Sequence, residues 1–251
     1  MQTKKEEYNV RQSNLYIVLY AVAITIVSGG LLAFASQALK PLQDANVELE
    51  RKKNILSTVM TLNEGDDINK IYAARVKEIV IDFNGTPRDG IKATDIDVAK
   101  EYKKAAADRL LPLYEFRDET DPTKLNYVVL PVYGFGLWND IWGFVALQQN
   151  LSTIQGVSFQ HKGETPGLGA RIVSEEIQNR YKGKSIFEAD VLQSVVMQKG
   201  EGFDYSNDPH KVDGMSGATL TAKGVNNMLQ DYFNCYLNYL KKNQQNLSSN
   251  L

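Results

Sequence analysis

The chain has 251 residues, 43% of them hydrophobic and 23% charged, which suits a globular core and excludes a disordered tail or a disulfide miniprotein. A single cysteine, Cys235, rules out an intramolecular disulfide, and two distant histidines, His161 and His210, leave too few soft ligands for a zinc finger or a cysteine-ligated iron–sulfur cluster. The formal charge of -2, from 28 basic and 30 acidic residues, gives no field that would gather nucleic acid.

Residues 15–39, LYIVLYAVAITIVSGGLLAFASQAL, contain no Asp, Glu, Lys, Arg or His. A helix of that length reaches roughly 37 Å at ~1.5 Å per residue, enough to cross a ~30 Å hydrocarbon layer with some tilt. A single transmembrane helix over 15–39, behind an N-terminal tail of residues 1–14, is therefore expected. A cleavable signal peptide is the main alternative, because Ala33-Phe34-Ala35 precedes Ser36 and the tail carries Lys4, Lys5 and Arg11. Against it, the apolar run exceeds the ~7–15 residues of a signal core and starts well inside the chain. A buried core helix fits less well, since the run is apolar all round. Lys40, Arg51, Lys52 and Lys53 follow the span, so the positive charges on its two sides nearly balance and leave orientation open. With no second long apolar run, the remainder lies on one side of the membrane.

Residues 40–62 read as a helical stalk, and residues 63–251 as a soluble domain. After the break at Asn63-Glu64-Gly65-Asp66-Asp67, the apolar spacing from Ile68 to Val80 predicts a second amphipathic helix. Asn84-Gly85-Thr86-Pro87 is turn chemistry, and Val98–Leu111, rich in Ala and Lys, reads as helix. Beyond Asp121-Pro122 come NYVVLPVYGFG, IWGFVALQQN and LSTIQGVSFQH, β-rich segments with glycines between them, which predict a meander. ARIVSEEIQNRY reads as a short helix and VLQSVVMQ as a strand. A closing helix is expected from about Ala222 to Lys242, burying Val225, Met228, Leu229, Tyr232, Tyr236 and Tyr239, with a polar, frayed end from Asn243. The class is α+β.

Standard nucleotide signals fail. Gly183-Lys184-Ser185 lacks the first glycine of a P-loop, since Gln178 stands there, and Gly134-Phe135-Gly136 lacks the third glycine of a dinucleotide fingerprint. No carboxylate pair argues for glycosidic acid–base work.

Two glycine-rich stretches remain. In Glu164-Thr165-Pro166-Gly167-Leu168-Gly169-Ala170, Pro then Gly fits positions i+1 and i+2 of a type II turn. It is either a plain turn or a place where a flat ligand approaches the backbone, with Glu164 and Thr165 offering polar contacts at its edge. In Asp213-Gly214-Met215-Ser216-Gly217-Ala218-Thr219, small residues clear space around the Thr219 hydroxyl just before a helix N-terminus that would stabilise a phosphate. The plain alternative is a cap, with Thr219 or Thr221 bonding first-turn amides.

DGMSGAT resembles the flavinylation motif of FMN-binding domains, in which a flavin transferase moves FMN from FAD onto the last threonine as a phosphodiester; the matching residue is Thr219. ETPGLGA is similar to the companion motif of the same families. In this order, after one span, a KPLQDAN…KKNIL stalk and a GLW…GF stretch, they resemble the C-subunit family of bacterial sodium-translocating NADH:quinone oxidoreductases along the whole chain. The G-subunit family of the Rnf electron-transport complex shares the anchor, the turn and the threonine; Gly136-Leu137-Trp138 and the long stalk favour the sodium pump.

The resemblance implies FMN covalently attached to Thr219, with Ser216, Gly217 and Ala218 around the attachment point and no metal site. It implies Glu164, Thr165, Leu168, Gly169 and Trp138 beside the isoalloxazine; the alternative for Trp138 is the core. Asp213 serves either the transferase step or its own turn, and Lys199 either a positive charge near the flavin or a solvated strand end. His161, His210 and Cys235 receive no role. The implied protein is a redox subunit, incomplete alone, that relays single electrons between iron–sulfur and flavin partner subunits. It is expected in the bacterial cytoplasmic membrane with its soluble domain on the periplasmic side. A membrane-tethered binding module without redox chemistry is the alternative from a different class.

Overall fold

A computed structural model describes residues 14–248 apart from 119, 120, 122 and 123, so the N-terminal tail, with Lys4, Lys5 and Arg11, lies outside the described residues save for Asn14. The chain divides into two units between Glu50 and Arg51. The apolar run lies in helix α1, Asn14–Ser57, whose most apolar window has a mean hydropathy of 2.3. That is one helix long and apolar enough to cross a membrane.

Five strands form an antiparallel meander in the second unit: β1 (Val76–Ile81), β2 (Leu111–Arg117), β3 (Leu125–Phe135), β4 (Asp140–Gln148) and β5 (Ile154–His161), paired in that order. Both faces of the sheet are covered, so its central strands are apolar at successive positions rather than alternating. Leu113, Leu130, Val132, Val145 and Leu147 point into the larger core, which includes Val225, Leu229 and Tyr236 of the closing helix. Tyr114, Phe116, Val129, Phe144 and Ala146 point the other way, into a second core with Ile55, Leu56 and Tyr72. The compact unit thus includes the end of the stalk: Ile55 and Leu56 are fully buried.

Helix α2 (Ile68–Arg75), capped by Asp67 accepting from the Lys70 amide, stops five residues short of the expected Val80. Apolar spacing there fits either period, and VKEIVI, rich in branched residues, is taken up as β1 by pairing with β2. Likewise only Val98–Tyr102 of the expected 98–111 helix forms, as α3, because Leu111 already belongs to β2. ARIVSEEIQNRY splits into a 3-10 turn, Gly169–Val173, and α4, Glu175–Asn179, with Ser174 as N-cap. The expected strand over 191–198 is interrupted. Val191–Leu192 (β7) pairs with Phe187–Glu188 (β6), whereas Val196–Met197 (β8) runs parallel to Lys211–Val212 (β9).

The closing helix, α5, spans Thr219–Ser248, longer at both ends than expected. All six residues of the expected stripe are buried. Its polar end is helical through Ser248, and Gln244 donates to the carbonyls of Asn150 and Leu151. At its start α5 lies tight on the end of β3: a Cβ on Gly224 would stand 2.3 Å from the Phe135 carbonyl oxygen. That approach sets Thr219 beside the loop that joins β3 to β4.

Candidate functional site

The β3–β4 loop, the ETPGLGA turn and the first turn of α5 enclose a cleft of about 200 Å³, lined by Leu137, Thr165, Leu168, Gly169, Gly217 and Thr219, with Thr221 at its base. The turn forms as its sequence dictates. The Thr165 carbonyl accepts from the Leu168 amide at 3.1 Å, and Gly167 at i+2 has φ +76°, a conformation that a side chain disfavours. Two glycines then let the motifs touch. A Cβ on Gly169 would lie 2.4 Å from Thr221 Oγ1, and one on Gly217 would lie 2.8 Å from Leu168 Cδ2.

Glu164 ties these pieces together. Its side chain is buried, not offered at the edge of the cleft as expected. One carboxylate oxygen accepts from the amides of Trp138 (2.9 Å) and Asn139 (3.4 Å), the other from the Thr221 hydroxyl (2.5 Å). Burial pushes its pKa up, but the Thr221 hydroxyl and the amides of Trp138, Leu137 and Asn139 outweigh that and hold it below the ordinary value. Thr221 is therefore no helix cap: its hydroxyl is buried and donated to Glu164. His161 Nδ1 accepts from the Glu164 amide.

The three threonines on the cleft differ in what their hydroxyls do. Thr165 Oγ1 accepts from the Trp138 indole N–H at 3.1 Å, and Thr221 is committed to Glu164. Thr219 is exposed, and its hydroxyl has no hydrogen-bond partner among the described residues. It is the first residue of α5, where Ala222 is the first amide to bond back into the helix, to the carbonyl of Ala218. The preceding amides lie at the positive end of the helix dipole. Trp138, 69% exposed, is no core residue and reaches the cleft through its bond to Thr165, while Leu137, Leu168 and Leu220 give the cleft an apolar rim. Ser216 is exposed but does not line the cleft, whereas Ala218, though buried, does.

A polar clamp with no sequence signature holds the loop of residues 213–218 from the other side. Glu201 accepts from Arg171 (2.6 and 2.9 Å), from Arg180 (3.1 Å) and from the Ser216 amide (2.9 Å). Arg180 also donates to the carbonyls of Asp213 and Gly214. Asp213 accepts from the amides of Gly202 (2.7 Å) and Phe203 (3.2 Å), which fits the turn-stabilising alternative. It lines a separate and larger groove, of about 670 Å³, with Arg180, Lys184 and Phe203. Lys199 is exposed and lines neither.

Against known proteins, the FMN-binding domain family matches residues 136–234, a range that takes in both motifs and the cleft. The compact unit is thus of the FMN-binding class. The C subunit of the Na(+)-translocating NADH-quinone reductase of Pseudomonas aeruginosa is 33% identical, covering 93% of this chain and 98% of its own. That of Haemophilus ducreyi is 32% identical over 84% of this chain and 86% of its own. The crystal structure of the C subunit from Parabacteroides distasonis superposes with a TM-score of 0.70 at 29% identity, over 80% of this chain and 96% of that one. The chain belongs to the family of C subunits of Na(+)-translocating NADH-quinone reductases, which decides between the two families its motifs left open.

The clamp has a pH signature. The Arg171 guanidinium and the Ser216 amide, then Arg180, hold the Glu201 carboxyl at about 2 against the upward push of burial. Because the folded pKa lies below the unfolded one, its stabilisation is complete above the ordinary value of 4.5 and is lost as the pH falls toward 2. Glu201→Gln should therefore melt below the wild type at neutral pH, and thermal unfolding followed by circular dichroism should show the gap closing between pH 4.5 and 2. A gap independent of pH would mean that charge plays no part in the clamp.

Proposed function

We propose that the chain carries FMN as a phosphodiester on Thr219 and works as a one-electron relay within a membrane-bound NADH:quinone reductase. The observation that carries this reading is the state of the cleft hydroxyls: Thr219 alone is exposed and unpartnered, at the start of a helix. Attachment uses Thr219 Oγ as nucleophile. Its oxygen bonds to phosphorus as the FAD pyrophosphate bond breaks, AMP departs, and the hydroxyl proton passes to the base of a flavin transferase. The first-turn amides of α5 stabilise the resulting charge.

The cleft suits a tethered group better than a dissociable one. At about 200 Å³ it falls below the ~300–1,000 Å³ of ordinary ligand pockets, so much of a flavin ring would remain outside it. A covalent ester retains the cofactor in spite of that, and leaves the ring open to a partner. When bound, FMN supplies one-electron chemistry. Leu137, Leu168 and Trp138 offer it apolar contact, and Glu164 holds their loop and turn in register. Iron–sulfur and flavin subunits of the same complex are the proposed donors and acceptors.

Thr219→Val should abolish the flavin fluorescence that survives denaturing electrophoresis while the domain still folds. Thr221→Val should keep the fluorescence but cost about 2 kcal/mol of stability, the worth of a buried hydrogen bond to a charged group. Fluorescence lost only in the second variant would reassign the acceptor.

The chain has no dinucleotide fingerprint and, among the described residues, one membrane-length helix, so NADH oxidation and quinone reduction belong to partners. The purified flavinylated chain should be reduced by dithionite without sustained NADH:quinone turnover; turnover dependent on Thr219 would reveal a substrate site. We place the soluble unit on the outer face of the cytoplasmic membrane, in keeping with the nearly balanced flanking charges. Added protease should digest it in spheroplasts, and protection would contradict this orientation.

A further inference from the structure

Glu164 is a buried charge without a counter-ion. Only 3% of the residue is exposed, and each group that bonds its carboxylate is neutral: backbone amides of the β3–β4 loop and the Thr221 hydroxyl. No Lys, Arg or His forms an ion pair with it among the described residues, and Arg171 and Arg180 pair with Glu201 and Glu176 instead. Hydrogen bonds from neutral donors spread the negative charge but do not cancel it.

The charge also lies directly behind the cleft. A Cβ on Gly169, which lines the cleft, would stand 2.6 Å from one carboxylate oxygen, and a Cβ on Gly136 would stand 2.5 Å from the other. Thr221, at the base, bonds to it, and Thr165, on the wall, is its chain neighbour. A group in the cleft is therefore separated from the carboxylate by no more than one layer of backbone and a hydroxyl. A buried charge is screened by solvent much less than an exposed one, so it acts on a group that near.

Resting on the functional reading above, we propose that Glu164 is a fixed negative charge that lowers the reduction potential of the flavin carried on Thr219. Reduction adds electrons beside an unpaired carboxylate, and their repulsion favours the oxidised form. A knot that only held three segments together would be served as well by an uncharged amide; the carboxylate adds a field.

The test is a spectroelectrochemical titration of the full chain, flavinylated in a host with a flavin transferase, for the wild type, Glu164→Gln and Glu164→Asp. Gln keeps the size and can still bond to the amides and to Thr221, but removes the charge. At fixed ambient potential its ratio of reduced to oxidised flavin should rise about tenfold or more, an upward shift of about 30 mV for a two-electron couple. Asp keeps the charge with poorer geometry, and its ratio should stay within about threefold of the wild type. An unchanged or lowered potential in Glu164→Gln, or equal shifts in both variants, would overturn the proposal. Should Glu164→Gln not accumulate folded, Thr221→Val decides, since it removes a neutral donor and leaves the carboxylate less compensated: a lowered potential supports the charge, and an unchanged or raised one refutes it. A wild-type chain without covalent flavin would instead overturn the functional reading, and the proposal with it.

Discussion

The hydrogen bond between the Thr221 hydroxyl and the buried Glu164 carboxylate is the contact on which the site depends. Glu164 stands in the ETPGLGA motif and Thr221 two residues past Thr219, 57 positions along the chain, and the same carboxylate also takes two amides of the β3–β4 loop. Three segments with no regular secondary structure in common are thereby fixed at one point. A buried carboxylate is costly unless its lone pairs are filled, so the arrangement holds only when all three segments are in place. The two close-lying glycines follow from it: any side chain at Gly136 or Gly169 would overlap the carboxylate.

The joint also sorts the hydroxyls. By engaging Thr221 it leaves Thr219 as the free one on the cleft, and by holding the β3–β4 loop it places Trp138 where its indole N–H meets Thr165. On the far side of the loop that leads into α5, Glu201 and Arg180 grip the Ser216 amide and the carbonyls of residues 213 and 214. The loop is therefore clamped at its backbone while the Thr219 side chain stays free. The proposed attachment of a cofactor there would need that combination: a defined position and an accessible nucleophile.

Much of this could be read from the residues. The type II turn was legible because Pro-Gly in sequence has few other uses, and the buried stripe of α5 because a 3.6-residue period repeats over about four turns. The start of α5 was not. Gly217, Ala218 and Thr219 carry no strong N-terminal signal, and Thr221 looks like a cap until Glu164 is seen beneath it. Residues 68–80 misled because apolar spacing there suits a helix or a strand, and pairing with β2 decides at Val76. The clamp left no local trace, since Arg171, Arg180, Glu201 and Ser216 are polar residues whose relation exists only in three dimensions. Neither the burial of Glu164, three residues past the end of β5 and behind exposed Lys162 and Gly163, nor its partner left a local signal.

Peptide mapping tests the central claim, that the joint leaves Thr219 as the sole acceptor, without altering a residue. Tandem mass spectrometry of the fragment Val212–Lys223, taken from the chain as it occurs in its membrane complex, should locate one FMN, less one water, on Thr219. The same increment on Ser216 or Thr221, or a fragment found only unmodified, would contradict the account.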